Sequence, residues 1–236
     1  MGNRKWIAWI VTAVLMGMAA GCSSRPAVEE SVQTSAERTE APSTEAEIVK
    51  PTAPSPSEIE PFPGAEKETK AEPLEGGKRI VVMTDIHYLA ESLTDGGDMF
   101  QAMVEHGDGK LTNYVWEITD AAFEEIQLLN PDVLIISGDL SLQGEKKSHE
   151  ELAGKLDALE RAGIAVVVIP GNHDINNPSA AVYSGMDRYP AEPTTPADFV
   201  SIYNEFGYSE ANSRDVNSLS YTYDLGPSMR LLMLDT

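Results

Sequence analysis

Three short motifs in this chain carry side chains suited to holding cations and moving protons: Asp85-Ile86-His87, Gly138-Asp139 and Gly171-Asn172-His173-Asp174. Each directly follows an apolar run. In an extended segment residues i and i+2 share a side, so Asp85 and His87 are expected to offer a carboxylate oxygen and an imidazole nitrogen to one ion. Asp139 and Asn172 add a second carboxylate and an amide oxygen, a donor mixture that suits Mn, Fe or Zn. Asp139, at the centre, can bridge two ions. Two metals about 3.5 to 4 Å apart clamp both the attacking and the leaving oxygen of a phosphoryl transfer. Water shared by such a pair becomes hydroxide near neutral pH, so no Ser or Cys nucleophile is needed. His173 is placed to stabilise or protonate the departing oxygen, and Asp174 to orient the His173 ring. Gly138 has no side chain and lets the backbone approach a crowded site.

The elements that must position these motifs follow from the hydrophobic pattern. Residues 79–84 (RIVVMT), 132–137 (DVLIIS) and 165–170 (AVVVIP) have the length and β-branched content of buried strands. Residues 112–129 set Val115, Ile118, Ala122, Ile126 and Leu129 on one helical face, and Asn130-Pro131 stops that helix. Residues 145–163 do the same with Leu152, Leu156 and Leu159 and end at Gly163. Strands alternating with helices imply an α/β fold with parallel strands, whose ligands sit outside the carboxyl ends of the strands. All three motifs fall there. Residues 175–215 are turn-rich with one helix near residues 197–207, and residues 219–225 and 228–236 read as a hairpin. The long segment 88–110 can overhang the site and shape a substrate pocket, with Asp95 and Asp98 as turn residues. His106 and His149 lie among polar neighbours and read as surface histidines.

The amino-terminal third has a different texture. Arg4 and Lys5 precede an apolar stretch shorter than a bilayer needs, and the stretch ends at Ala19-Ala20-Gly21-Cys22. Residues 1–22 therefore read as a bacterial lipoprotein signal, with Cys22 the lipidated residue and the mature protein anchored to the outside of the cell membrane. Cys22 is the single cysteine, so no internal disulfide can form. Residues 23–78, rich in Pro, Glu, Ser and Thr, read as a disordered tether. The net charge is -21, most of it beyond that tether, which repels a phosphate backbone and argues against nucleic acid as a partner. A nucleophile elbow, a phosphate-binding P-loop and a dinucleotide-binding glycine motif are all absent from the sequence.

In their order, and in each following a strand, the three motifs resemble the calcineurin-like metallophosphoesterase family, whose pattern runs Asp-x-His, Gly-Asp, then Gly-Asn-His-Asp or Gly-Asn-His-Glu. The resemblance covers residues 79–236 and leans toward exported or cyclic-nucleotide-type phosphodiesterases. It implies a two-layer β-sandwich flanked by helices, and hydrolysis of a small phosphodiester or phosphomonoester. It also implies two transition-metal ions, one on Asp85, His87 and Asp139 and the other on Asp139 and Asn172, with His173 as the leaving-group histidine. The family pattern continues into further histidines, whereas none follows His173 here. The expectation is therefore the amino-terminal part of a longer domain, binding metal weakly and turning over poorly by itself. The alternative is a noncatalytic, lipid-anchored binding or scaffold domain with a decayed metal site.

Overall fold

The computed structural model describes residues 70–107 and 109–236. The lipoprotein signal, Cys22 and the tether as far as residue 69 lie outside the described residues. Among the described residues no helix is long and apolar enough to cross a membrane.

The chain is a mixed α/β structure. Its centre is a parallel sheet of β1 (Ile80–Met83), β2 (Val133–Ser137) and β3 (Ala165–Ile169), in that order. β2 is central, and Val133, Leu134 and Ile136 are fully buried. β1 departs from the expected buried strand: it is an edge, and Val82 is 62% exposed. A β-branched run alone does not distinguish a central strand from an edge.

Helix α1 (Asp98–Glu105) lies in the segment after β1, and α2 (Val115–Leu129) leads into β2. Asn130, in the left-handed conformation with φ 46°, caps α2 as Asn readily does. The buried stripe of α2 is Val115, Thr119, Phe123 and Ile126, whereas Ile118 and Leu129 face outward. That face is rotated from the expected one by about half of the 100° step between residues. The bulk of Phe123 sets it, and a stripe drawn through aliphatic residues passes that ring by.

Helix α3 (Lys146–Arg161) buries Leu152, Leu156 and Leu159 as expected. It stops in a paired motif in which Gly163 N donates to Glu160 O and Ile164 N to Leu159 O, at 2.9 and 3.1 Å. Gly163 supplies the positive φ of 89° that this ending requires. The same buried face continues back to His149, which is completely buried, so the surface reading of that residue is corrected. His106 is exposed, as read.

Beyond β3, a hairpin of β4 (Ala181–Ser184) and β5 (Asp187–Pro190) turns through Gly185-Met186. The sequence reading missed it because β5 is exposed throughout and has no apolar face. The Gly-X pair at the turn was its available signal. This hairpin clasps the segment after β1: the carboxylate of Asp95 accepts from Gly97 N and Gly185 N, each at 2.8 Å. A small apolar cluster fills the space beneath, including Leu93, Phe100, Leu142 and Tyr183.

Helix α4 (Pro196–Ile202) starts with a reciprocal cap between Thr195 and Asp198. A wide turn at Asn204–Tyr208 follows, and then a second sheet of β6 (Ser213–Arg214), β7 (Tyr221–Asp224) and β8 (Arg230–Met233). The β7–β8 hairpin was expected. Tyr221 joins this sheet to the first, its hydroxyl donating to Val168 O at 2.8 Å. Its ring lies over Gly207, where a Cβ would come within 2.5 Å of the hydroxyl.

Candidate metal centre

The site forms where the three parallel strands end. Past the last strand pair, the chains after β1 and β2 stay joined: Asp85 N donates to Gly138 O (3.1 Å), His87 N to Asp139 O (2.9 Å) and Tyr88 N to Leu140 O (2.9 Å). Asp85, His87 and Asp139 all take positive φ, at 55°, 49° and 49°. For residues with a Cβ this costs of order 1–3 kcal/mol each and persists only where the surroundings over-determine it. The Asp85–His87 segment is thus not extended, as the i, i+2 argument assumed. Turns in the left-handed region bring Asp85 Oδ1 to 3.7 Å from His87 Nε2.

Gly138 and Gly171 let the loops after β2 and β3 touch backbone to backbone. A Cβ on Gly138 would lie 2.9 Å from Gly171 Cα, and one on Gly171 would overlap Asp139 N and Oδ1. The close approach expected at Gly138 is therefore present, and Gly171 shares it. Asp139 Oδ1 then accepts from His173 N at 2.9 Å, while Oδ2 stands 4.0 Å from His87 Nε2.

Ligand atoms of His87, Asp139 and His173 all lie within 4.8 Å of one another. The rings of His87 and His173 meet edge to face, with centroids 4.9 Å apart. Asp85 sits beside His87 but is largely exposed. Asn172 is exposed on a groove of about 540 Å³ that Ser137, Gly171, Met233 and Asp235 also line. The three-residue cluster and Asp85 are brought together, whereas Asn172 opens onto a groove that none of those four lines.

His173 is oriented by a carbonyl. Its Nδ1 lies 2.9 Å from Leu142 O, an acceptor, so Nδ1 carries a proton and Nε2 is the nitrogen left for the chemistry of the site. Asp174 does not perform the expected orienting. It is fully buried, and its carboxylate accepts from Leu140 N, Ser141 N, Ser141 Oγ and Gly171 N at 2.8 to 3.1 Å. Those bonds staple the loop after β2 to the loop after β3. Below them His149 Nε2 reaches Asp174 O at 3.2 Å and His149 Nδ1 meets the Tyr203 hydroxyl at 2.9 Å. Burial pushes the His149 pKa below its ordinary value, against the pull of the Asp174 charge.

The His87 pKa is also lowered, first by burial and then by the positive charge of Lys110, with Asp139 and Asp85 opposing. His87 Nδ1 is buried without a hydrogen-bond partner. Its other nitrogen, Nε2, faces the carboxylates of Asp85 and Asp139 at 3.7 and 4.0 Å, and an imidazole beside two carboxylates and a second histidine fits a transition-metal ligand set. Sequence reading did not single out Lys110, Ser141 or the Leu142 carbonyl. Backbone acceptors leave no sequence signal, and Lys110 lies in a loop with no motif.

The calcineurin-like phosphoesterase family model matches residues 78–228. The chain belongs to that family, whose members are metal-dependent phosphoester hydrolases. A probable cyclic nucleotide phosphodiesterase of Synechococcus sp. is 41% identical over 54 residues, which are 23% of this chain and 20% of that protein. The match thus spans about a fifth of the relative's length.

Proposed function

We propose that this chain hydrolyses a small phosphodiester, with cyclic nucleotides as the first class to test, using two Mn, Fe or Zn ions. The observation that carries the reading is the meeting of His87, Asp139 and His173 at the carboxyl ends of β1, β2 and β3. Asp85, His87 and Asp139 would hold one cation, and Asp139 and Asn172 the other. The cations would supply Lewis acidity and a shared water acidified enough to attack phosphorus. Asp139 divides its oxygens, one holding the His173 amide and the other facing His87. His173, whose Nδ1 proton is held by Leu142 O, would take up a second proton at Nε2 and give it to the departing oxygen. Asp174 sets the spacing of the two loops. The similarity to a probable cyclic nucleotide phosphodiesterase of Synechococcus sp. supports the diester class.

A lipid at Cys22, following the signal-like residues 1–21, would place this activity on the outer face of the cell membrane. The test of the chemistry is hydrolysis of a chromogenic phosphodiester by the full chain with added manganese. Turnover that vanishes in Asp139→Ala supports the reading. No turnover with manganese returns the chain to the noncatalytic binding domain, and turnover indifferent to manganese or surviving Asp139→Ala removes the metal centre from the reaction.

A further inference from the structure

Three polar residues on one turn of α3, Ser148, His149 and Glu151, reach the loops that carry the metal centre. Glu151 Oε1 accepts from the Tyr88 hydroxyl at 2.6 Å and Ser148 Oγ from Ala90 N at 3.0 Å, which fixes the chain immediately after His87. His149 reaches the other loop: its Nε2 lies 3.2 Å from Asp174 O, in the residue after His173. The first and third motifs are thereby held to a single helix.

His149 occupies a place where an apolar residue would continue the stripe of Leu152, Leu156 and Leu159, and it is completely buried. Both of its ring nitrogens are engaged. Asp174 O only accepts, so Nε2 carries a proton, and Nδ1 of the neutral ring accepts from the Tyr203 hydroxyl at 2.9 Å. Tyr203, at the end of α4, is completely buried as well. Its ring and that of Phe199 meet the imidazole edge to face, with centroids 5.6 and 5.5 Å away. A buried chain of hydrogen bonds whose members are all paired is rigid, so the bond to Asp174 O has a fixed direction.

We infer that His149 is a positioning residue: seated by Tyr203, it holds Asp174 O and so sets the place of His173 against His87 and Asp139. The inference rests on the phosphoesterase reading for the reaction it serves, and adds to it a residue outside the three motifs. The Asp174 carboxylate ties the loop after β3 to the loop after β2 through Leu140 N, Ser141 N and Gly171 N. His149 ties the same residue's carbonyl to α3, so the third motif is gripped from two sides. Without the imidazole a buried carbonyl loses its donor, and the loop must shift to find another. His173 N on Asp139 Oδ1 and His173 Nδ1 on Leu142 O are the next bonds along that loop, and they feel the shift first.

The test compares the full chain with His149→Leu, which continues the apolar stripe and removes both hydrogen bonds, and with His149→Gln, whose amide can give one and accept the other. Proton–nitrogen correlation spectra of the metal-free chains read the rings directly. The His173 Nδ1 resonance, set by its bond to Leu142 O, should move in His149→Leu and return in His149→Gln, while the His87 resonances stay in place. In the manganese-loaded chains, kcat for the chromogenic diester should fall about tenfold in His149→Leu, with KM within about twofold of the parent, and His149→Gln should recover most of it. Should His149→Leu fail to fold, Tyr203→Phe removes one oxygen from the same chain of bonds and should move the His173 resonance too; parental His173 resonances in that variant overturn the inference. A lower unfolding midpoint in His149→Leu with unchanged His173 resonances and kcat makes His149 structural and also overturns it, as do equal displacements of the His87 and His173 rings. Selective movement of His173 in a chain whose parent hydrolyses no diester keeps the positioning and removes the reaction it serves.

Discussion

The backbone amide of His173 donates to Asp139 Oδ1 at 2.9 Å, so the second and third motifs are joined by the carboxylate at the middle of the metal centre. One oxygen of Asp139 is engaged in loop geometry before any ligand arrives, and the other points toward His87. The side chain therefore carries a structural and an electrostatic task that substitution can separate.

Asp139→Asn retains an oxygen that can accept the His173 amide and removes the charge. Its metal-free unfolding midpoint should stay close to the parent's. Manganese-dependent hydrolysis should fall by more than about 100-fold, exceeding what loss of a supporting contact alone produces. Asp139→Ala should lose both the activity and part of the stability. Retention of a tenth or more of the activity in Asp139→Asn would remove Asp139 from the metal centre. Calorimetric melts beside the chromogenic assay decide it.

Asp174 is a staple, and the prediction differs accordingly. It is fully buried and takes hydrogen bonds from three backbone amides and one hydroxyl. Asp174→Ala leaves those donors unpaired, at about 3–5 kcal/mol in total. Chemical denaturation should show that loss, with an altered pH profile of any residual hydrolysis not expected. A stable Asp174→Ala protein whose pH profile has moved would return Asp174 to the catalytic machinery.

Asp174 also shows where the sequence stopped being informative. The three strands, both long helices and the convergence of motifs were legible because burial imposes periodicity and strand ends collect polar residues. Which partner a carboxylate chooses is a three-dimensional matter, and nothing in Gly-Asn-His-Asp distinguishes orienting His173 from bonding Leu140, Ser141 and Gly171. His149 was nearer to being readable. It lies three residues before Leu152 and seven before Leu156, on the same stripe, and its polar neighbours outweighed that spacing.

Burial of His149 gives a pH prediction with a definite sign. Its folded pKa lies below the ordinary value of 6.5, so below pH 6.5 the unfolded chain binds a proton that the folded chain resists. Stability is therefore full above pH 6.5 and declines as the pH falls through it. His87 is lowered in the same direction and adds to the slope. Unfolding midpoints from pH 5 to 8 should fall on the acid side, and His149→Gln should flatten part of that fall. An unchanged slope in the variant would mean that His149 is not held neutral.

The glycines at the loop crossing are open to the same scrutiny. Gly138 has φ 102°, and a Cβ there would meet Gly171. Gly138→Ala should cost about 1–3 kcal/mol through backbone strain and separate the loops that carry Asp139 and His173. Weaker manganese binding should accompany the lower melting point. An alanine variant with parental metal affinity would show that the crossing is more compliant than its geometry implies.

The field at His87 gives the most direct check on the position of Lys110. In metal-free protein, Lys110→Met removes a positive charge that disfavours the imidazolium, so the His87 titration point should rise. It should remain below 6.5, because burial is the larger cause and persists in the variant. Proton–nitrogen correlation spectra of the histidine rings across pH 4 to 8 follow this shift residue by residue. His149, whose pKa owes its lowering to burial and is opposed by Asp174, should not move and serves as the internal reference. A His87 titration indifferent to Lys110 would place the ammonium away from the imidazole.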